Sequence, residues 1–294
     1  MNGRLDRMVA RLENASALDP VADLFARISR AFIKPGPLRS VLSGTRLGHP
    51  AHPAVMLLPS ACWLASSTLD LCRRGKYRAA SSRLIETGIL AAVPTALTGV
   101  NDWLDTAGAE RRVGVVHAST NYVGLAFQVA SWRARRSGRF GLGVALSLAG
   151  NTALLTAGWL GGHLVYARGV GVDTTAFQVV PDEWTDAVAE REVREGIASF
   201  ANVGGVPVLL TRCDGHVIAM ADRCSHRGGP LHEGELAHGR VTCPWHESEF
   251  DLHDGTVARG PATRPQHTYA ARVCDGRVQV RRAAEPVALR KNVT

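Results

Sequence analysis

The chain has 294 residues and a formal net charge of +8, and 46% of its residues are hydrophobic. This length and apolar content exclude a disordered or collagen-like chain and allow roughly two domains of ordinary size. Six cysteines are too few for a small fold held together by disulfides.

The basic excess lies in the first part of the chain. Residues 1–176 hold 20 basic and 10 acidic side chains, whereas residues 177–282 hold 12 basic and 15 acidic side chains. In the first part the charges fall between long apolar stretches, which is typical of charges that flank membrane spans. A nucleic-acid surface would instead interleave them with aromatic residues on a folded domain, so we expect no nucleic-acid partner.

Residues 1–47 show the pattern of an amphipathic helical tail. Leu24, Phe25, Ile28 and Phe32 recur at helical spacing with basic residues beside them, which predicts a helix that lies on the membrane or packs on a helical bundle. The Pro/Gly run at 34–37 ends this helix. The apolar core of a secretory signal is missing from this part of the sequence.

Four stretches that are free or nearly free of charge follow, at 51–69, 84–104, 113–132 and 140–166. Each has about the 20 residues that a helix needs to cross the hydrocarbon core of a bilayer. Residues 48–172 are therefore predicted to form a multi-pass, four-span transmembrane bundle in the cell (inner) membrane. An even number of spans places both termini on the same side.

Polar residues inside these stretches are informative because burying them in lipid is expensive. In an up-down bundle, the end of one span lies beside the start of the next, so polar residues at these places meet at one end of the bundle. These residues are His49, His52, Asp102, His117, Asn121 and His163. Singly, each is explained as a headgroup-level histidine or a capping polar group. Together they could bind a b-type haem, a quinone head group or a metal ion, and the sequence does not choose among these.

Several short motifs in this part resemble a bacterial four-helix membrane domain of unknown function. The motifs are Gly48-His49-Pro50-Ala51-His52-Pro53, the stretch 99–103, His117 with Asn121, the glycine-rich 158–162 and the following 169–172. The resemblance covers roughly residues 45–172. It implies a membrane bundle and says nothing about activity.

From about residue 177 the pattern changes to short β-type runs. Three Asp-Gly pairs, at 214–215, 254–255 and 275–276, lie between apolar segments, and Asp-Gly in that setting is a strong hairpin signal. We predict an all-β domain over 177–282, with 283–294 as a tail. The fold class is therefore multi-domain, with a helical membrane bundle followed by a β domain.

The clearest signal in the chain is Cys224-x-His226 followed by Cys243-x-x-His246. One cysteine and one histidine from each of two loops is the ligand set of a Rieske [2Fe–2S] cluster, in which two thiolates hold one iron and two imidazoles hold the other. Zinc is the alternative, since two cysteines and two histidines also make a tetrahedral site. Zinc motifs usually pair Cys with Cys and His with His, so the alternating order favours iron–sulfur.

The residues around these ligands resemble bacterial Rieske ferredoxins over about 177–282. The matching segments are Arg227 to Leu231, with Pro230, then Glu247 to Leu252, and Gly260-Pro261-Ala262. The resemblance implies that Gly260 and Pro261 belong to a loop that covers the cluster. It also implies that no disulfide braces the loops, because Gly229 and Trp245 stand where respiratory Rieske proteins have cysteines.

The same resemblance predicts a low or intermediate reduction potential. Ser248 matches a hydroxyl that donates to a cluster sulfur, but Phe250 lacks the second such hydroxyl, and Glu247 adds a negative charge where glycine is usual. A lost donor or an added anion lowers the potential.

The function predicted from these features is that of a membrane-tethered Rieske electron-transfer protein. In one version it passes single electrons between a membrane redox component, haem or quinone, and a partner protein. In the alternative the bundle is only an anchor, and the cluster is a ferredoxin-like donor or a redox sensor for a separate partner. A complete oxygenase is not expected, because 12 residues follow position 282 and the membrane part cannot supply the mononuclear iron domain.

Sidedness depends on the basic loops between spans. Those on one side comprise Arg73, Arg74, Lys76, Arg78 and Arg83, then Arg133, Arg135, Arg136 and Arg139. The positive-inside rule would put these loops in the cytoplasm and the β domain outside. The missing export signal and the missing disulfide favour the opposite orientation, so we expect a cytoplasmic β domain.

Overall fold

The computed structural model describes residues 3–72 and 76–283. It divides into two compact units. The helical unit comprises residues up to 33 together with 51–170, and the β unit comprises 34–50 together with the residues from 171 onward. Arg73 and Arg74 of the predicted basic loop, and residues 284–294 of the predicted tail, lie outside the described residues.

Eight α-helices are formed in the described part of the chain. In order they are α1 Gly3–Glu13, α2 Asp19–Phe32, α3 Pro37–Ser43, α4 Ala51–Val55, α5 Leu57–Cys72, α6 Arg78–Trp103, α7 Gly108–Arg136 and α8 Phe140–Tyr166. All except α3 belong to the helical unit.

Three stretches in the described residues are long and apolar enough to cross a membrane: the continuous stretch Ala51–Cys72, α6 and α8. These agree with three of the four predicted spans. α7 is also long enough, but it falls short in apolarity because His117, Asn121 and Gln128 lie within it. The fourth span therefore stays a prediction.

Close approach of helix backbones holds the helical unit together. A Cβ atom at Gly124 of α7 would lie 3.3 Å from the carbonyl oxygen of Gly150 in α8, so these two helices touch at glycine. A Cβ at Gly88 of α6 would overlap the indole of Trp63, which instead donates its N–H to the Ile85 carbonyl at 3.3 Å. Small residues at helix contacts are typical of membrane bundles.

Helix α2 presents its small residues to the rest of the helical unit and its large apolar residues outward. Ala22 and Ala26 are buried, whereas Leu24, Ile28 and Phe32 are exposed. The predicted apolar stripe is thus present, apart from its Phe25, whose ring lies 5.2 Å from that of Trp103. Ion pairs fix this helix to the start of α7, and the firmest is the two-pronged contact of Arg112 with Asp19 at 2.6 and 2.7 Å.

The described part of the β unit contains ten strands, all paired antiparallel. They are β1 Thr185–Ala189, β2 Ser199–Val203, β3 Val206–Cys213, β4 His216–Ala221, β5 Glu235–Ala237, β6 Arg240–Thr242, β7 Glu249–Asp251, β8 Val257–Arg259, β9 Thr268–Cys274 and β10 Arg277–Arg282. Six form one sheet in the order β1-β10-β9-β4-β3-β2, and four form a second in the order β5-β6-β7-β8. Turns at Asp214-Gly215 and Asp275-Gly276, with positive φ at both residues, close the hairpins β3-β4 and β9-β10.

A compact apolar cluster connects the two sheets beneath the cysteines. Leu209 and Met220 of the larger sheet and Phe250 of the smaller sheet are fully buried in it, together with both Cys224 and Cys243. This apolar cluster is rigid and forms the floor of the site, so the cysteine side chains are held by packed core rather than by mobile loop tips.

Candidate metal centre

Cys224 and Cys243 begin two loops of the same construction. In the first loop the Cys224 N–H donates to the Gly229 carbonyl at 2.9 Å, and the Cys224 carbonyl accepts from the Gly228 N–H at 2.8 Å. The second loop repeats this pattern at the same offsets, with the Cys243 N–H donating at 2.8 Å and the Cys243 carbonyl accepting at 3.0 Å. Each loop is thus a closed six-residue turn that starts at a cysteine.

Each cysteine sulfur is buried against backbone N–H groups of its own loop. Cys224 is 1% exposed and faces the N–H groups two and three residues onward, and Cys243, at 2%, does the same. A hydrogen bond from Cys224 lowers the pKa of Cys243 to about 7, helped by the N–H groups of Trp245 and His246 and opposed by burial. The same hydrogen bond, together with burial, raises the pKa of Cys224. This environment stabilises thiolate at Cys243, the form that binds metal.

The side chains of His226 and His246 also lie close together. Their ring centroids are 5.1 Å apart and the rings are perpendicular. Burial lowers the pKa of His226 well below its usual value, and the positive charges of His246, Arg227 and Arg39 act in the same direction. A neutral imidazole is the form that ligates a metal.

The donor groups therefore pair by kind, thiol with thiol and imidazole with imidazole. A structural zinc ion needs four ligands at one centre, whereas a Rieske cluster needs two ligands at each of two irons. The arrangement fits the cluster better than zinc.

Glycine is needed beside these ligands. A Cβ at Gly229 would lie 2.9 Å from the sulfur of Cys243 and 3.0 Å from the Trp245 ring. Any side chain at this position would enter the space between the two loops. Because the Cys243 sulfur and the Trp245 ring take up this space, position 229 requires glycine.

The predicted third loop lies against the second. Gly260, Pro261 and Ala262 are buried, and the Ala262 N–H donates to the Ser248 hydroxyl oxygen at 2.9 Å. That bond uses the Ser248 oxygen as acceptor and leaves its O–H as a donor, as the Rieske resemblance requires. Phe250 is fully buried in the floor.

The two remaining residues predicted to surround the cluster are in the first loop or at its end. Arg227 directly follows the ligand His226 and is half-buried. Pro230 closes the loop through a β-bridge with Arg223 and precedes the turn Leu231–Glu233.

Supporting residues that the sequence did not indicate hold the first loop from behind. Thr174 donates its hydroxyl to the Cys224 carbonyl at 2.8 Å. Ser225 donates its hydroxyl to the Arg264 carbonyl at 2.8 Å, and its N–H donates to the side-chain oxygen of buried Gln266 at 3.1 Å. Thr174 and Gln266 lie outside any motif, and Ser225 stands at the unspecified position of Cys224-x-His226, so the sequence did not indicate these contacts.

The polar residues predicted to meet at one end of the bundle are only partly brought together. His117 binds the Ala157 carbonyl through Nδ1 at 2.8 Å, and Asn121 contacts its Nε2 at 3.2 Å. His163 instead pairs with Glu13 at 2.9 Å.

The other three have hydrogen-bond partners outside this set. His52 bonds to the Thr95 carbonyl at 3.1 Å, and Asp102 accepts from Asn101 at 3.2 Å. His49 belongs to the β unit, where its Nδ1 lies 3.3 Å from the Pro50 carbonyl.

A buried ion pair in the helical unit also escaped sequence analysis. Arg135 was assigned to a basic loop, but α7 continues through Arg136 and turns Arg135 inward, where it binds Asp70 at 2.6 Å. The side chains are 1% and 2% exposed, and the guanidinium also stacks 4.7 Å from the Phe140 ring.

Comparison with protein families gives two matches. Residues 183–270 match the Rieske [2Fe-2S] domain, and residues 48–174 match a predicted membrane protein family, DUF2231. The second agrees with the resemblance of residues 45–172 to a bacterial membrane domain of unknown function.

Individual relatives match the β unit. The anthranilate 1,2-dioxygenase ferredoxin subunit of Burkholderia cepacia is 34% identical over 98 residues, which cover 33% of this chain and 91% of the relative. The ferredoxin component of the naphthalene 1,2-dioxygenase system of Pseudomonas aeruginosa is 31% identical over 71 residues, covering 24% and 68%. The crystallised ferredoxin of carbazole 1,9a-dioxygenase from Nocardioides aromaticivorans IC177 is 23% identical, covering 34% and 98%, with a TM-score of 0.32.

Coverage is lower for a larger relative. Apoptosis-inducing factor 3 of Mus musculus is 36% identical over 62 residues, and the chain spans 10% of its length. The ferredoxin subunit, by contrast, is matched over nearly its whole length. The chain therefore belongs to the Rieske [2Fe–2S] family through its β unit, with a DUF2231 membrane domain N-terminal to it.

Proposed function

We propose that this protein is a membrane-tethered Rieske electron carrier that exchanges single electrons with a separate partner protein. The observation that carries the proposal is the pairing of Cys224 with Cys243 and of His226 with His246 on two loops of identical construction. Relatives named as ferredoxin components of dioxygenase systems support an electron-transfer role.

Each ligand pair has its own role. Cys224 and Cys243 would hold one iron in the buried floor, and His226 and His246 would hold the other nearer the surface. A Rieske [2Fe–2S] cluster supplies a one-electron couple. The half-buried imidazoles, with Trp245 beside them at 55% exposed, form the edge through which an electron enters or leaves.

The partner is a redox protein with a basic docking surface. Residues 177–282 carry a formal charge of −3, which suits transient docking to a positively charged face. By analogy with the dioxygenase ferredoxins, an oxygenase component is the partner class we propose.

The helical unit serves as the tether. We include α7 as the fourth span, because its polar Gln128 is fully buried within the unit and bonds to Asn151 of α8 at 2.9 Å. Four spans keep both termini on one side, and we assign that side to the cytoplasm.

The alternative gives the helical unit a haem or quinone of its own at the polar residues of the bundle. The hydrogen bonds favour the tether instead. With Nδ1 donating to Ala157 and Nε2 accepting from Asn121, His117 has no nitrogen left for iron, and His163 is held by Glu13.

The test is spectroscopy on the full-length protein purified in detergent. We expect an electron paramagnetic resonance (EPR) signal of the Rieske type after dithionite reduction, lost in Cys243→Ser, and no sharp haem bands in the reduced-minus-oxidised optical spectrum. Zinc in place of iron would refute the electron-carrier proposal. Haem bands that disappear in His117→Ala with His163→Ala would refute the tether and establish the alternative.

A further inference from the structure

Residues 34–50, which we name the strap, form part of the cluster site although they lie far from it in sequence. The strap contains α3 and the turn Thr45–Leu47, and it packs in the β unit. It lies outside the matched Rieske range and almost wholly before the matched membrane range. Neither family match accounts for it.

Two side chains of the strap bind the third loop. The Ser40 hydroxyl accepts from the Gly260 N–H at 3.1 Å and donates to the Gly36 carbonyl at 3.2 Å. The Thr45 hydroxyl donates to the Ala262 carbonyl at 3.0 Å. A Cβ at Gly260 would overlap the Thr45 hydroxyl, so the absence of a side chain there admits the strap.

Arg39 directly precedes Ser40 in the strap and reaches the second ligand loop. It is 8% exposed, and its Nη1 donates to the carbonyl of the ligand His246 at 3.5 Å. A guanidinium is always charged and its planar shape suits a buried site of this kind.

We propose that Arg39 is a positioning residue that raises the reduction potential of the cluster, held in place by the strap. Reduction adds one negative charge to the site, and a cation buried against the ligand loop of His246 stabilises that state more than the oxidised one. Arg39 thus opposes the effect of Glu247 on the second loop. The inference rests on the proposed function, since it requires the cluster.

The test is an EPR-monitored redox titration of the full-length protein in detergent. Arg39→Gln should lower the equilibrium constant for reduction roughly tenfold, which is about 59 mV for a one-electron couple. Arg39→Lys should restore most of the potential. The control is Arg46→Gln, the same charge change at an exposed side chain of the same strap, which should shift the potential much less.

Removing the anchors gives a second measurement. Ser40→Ala with Thr45→Val keeps the charge of Arg39 but loosens the attachment of the strap to the third loop. The reduction potential should therefore also fall, by a smaller amount than in Arg39→Gln. This variant decides the question if Arg39→Gln does not retain the cluster: a lowered potential supports the proposal and an unchanged one overturns it.

The outcomes separate the two proposals. A normal Rieske signal in the wild type with an unchanged potential in Arg39→Gln would overturn the role of Arg39 and leave the electron carrier intact. A shift of equal size in Arg46→Gln would overturn it as well, since the effect would then be one of net charge. A wild-type protein without a Rieske signal would overturn both.

Discussion

Gly228 and Glu247 occupy the same position in the two cluster loops. Each donates its N–H to the carbonyl of the cysteine four residues earlier, and each has a left-handed backbone, with φ of +76° and +62°. Glycine adopts this conformation freely, whereas a residue with a Cβ pays about 1–2 kcal/mol for it. The second loop therefore stores strain at the residue that also brings a negative charge to the cluster.

Replacing this residue should affect stability and potential separately. Glu247→Gly should stabilise the protein by about 1 kcal/mol, because the strain is relieved, and should raise the reduction potential, because an anion is removed. Thermal unfolding and a redox titration measure the two effects. Glu247→Gln is the matched control, since it removes the charge and keeps the strain. A rise in potential for Gly but not for Gln would contradict the electrostatic explanation.

Ser248 and Ser225 offer a comparison between two buried hydroxyls, one in each cluster loop. Ser248→Ala should cost about 1–3 kcal/mol, because the buried Ala262 N–H loses its acceptor, and should lower the potential through the loss of a donor to the cluster. Ser225→Ala removes a bond to the Arg264 carbonyl instead and should lower stability while leaving the potential nearly unchanged. If Ser248→Ala leaves the reduction potential at the wild-type value, as is expected of Ser225→Ala, then Ser248 acts on stability alone.

The buried pair of Asp70 and Arg135 should be the strongest single ionic contact in the helical unit. Asp70→Asn leaves a buried guanidinium without its counter-charge and should cost about 3–5 kcal/mol in unfolding experiments in detergent. Asp70→Leu combined with Arg135→Met should recover much of that loss, because both charges are then gone. The exposed contact of Asp23 with Arg111 is the control, and Asp23→Asn should cost about 1 kcal/mol or less. A similar small loss for Asp70→Asn would mean that water reaches Arg135.

Features with local causes could be predicted from the sequence. The turns at Asp214-Gly215 and Asp275-Gly276 formed as expected, because a two-residue hairpin needs positive φ at both positions and Asp-Gly supplies it. The spacing of Cys224, His226, Cys243 and His246 likewise indicated two short loops, since each pair is close in sequence.

Features that depend on distant contacts could not be predicted. Thr45 binds a carbonyl 217 residues away and itself belongs to no motif, so the sequence of the strap indicated only the end of a helical tail. Arg135 was placed in a loop because the apolar stretch ends at residue 132. The helix continues beyond that point, and the buried carboxylate of Asp70 neutralises the arginine. The left-handed backbone of Glu247 arises from the closed turn around Cys243, although its residue type disfavours that conformation.

Tyr269 provides a pH-dependent prediction in the larger sheet of the β unit. Its hydroxyl is buried without a hydrogen-bond partner among the described residues, and burial raises its pKa to about 12. The unfolded chain has a tyrosine pKa near 10, so ionisation there favours unfolding once the pH exceeds that value. Below about pH 10 the ionisation of Tyr269 does not affect stability. As the pH rises from about 10 toward 12, it lowers the free energy of unfolding by about 2–3 kcal/mol in total.

Tyr269→Phe should remove this pH dependence. The difference in unfolding free energy between wild type and variant should stay constant up to about pH 10 and then move in favour of the variant, because phenylalanine cannot ionise. Ultraviolet titration of tyrosinate should also lose its highest component in Tyr269→Phe. If that component instead titrates near pH 10, water reaches the hydroxyl and the sheet is open at this point.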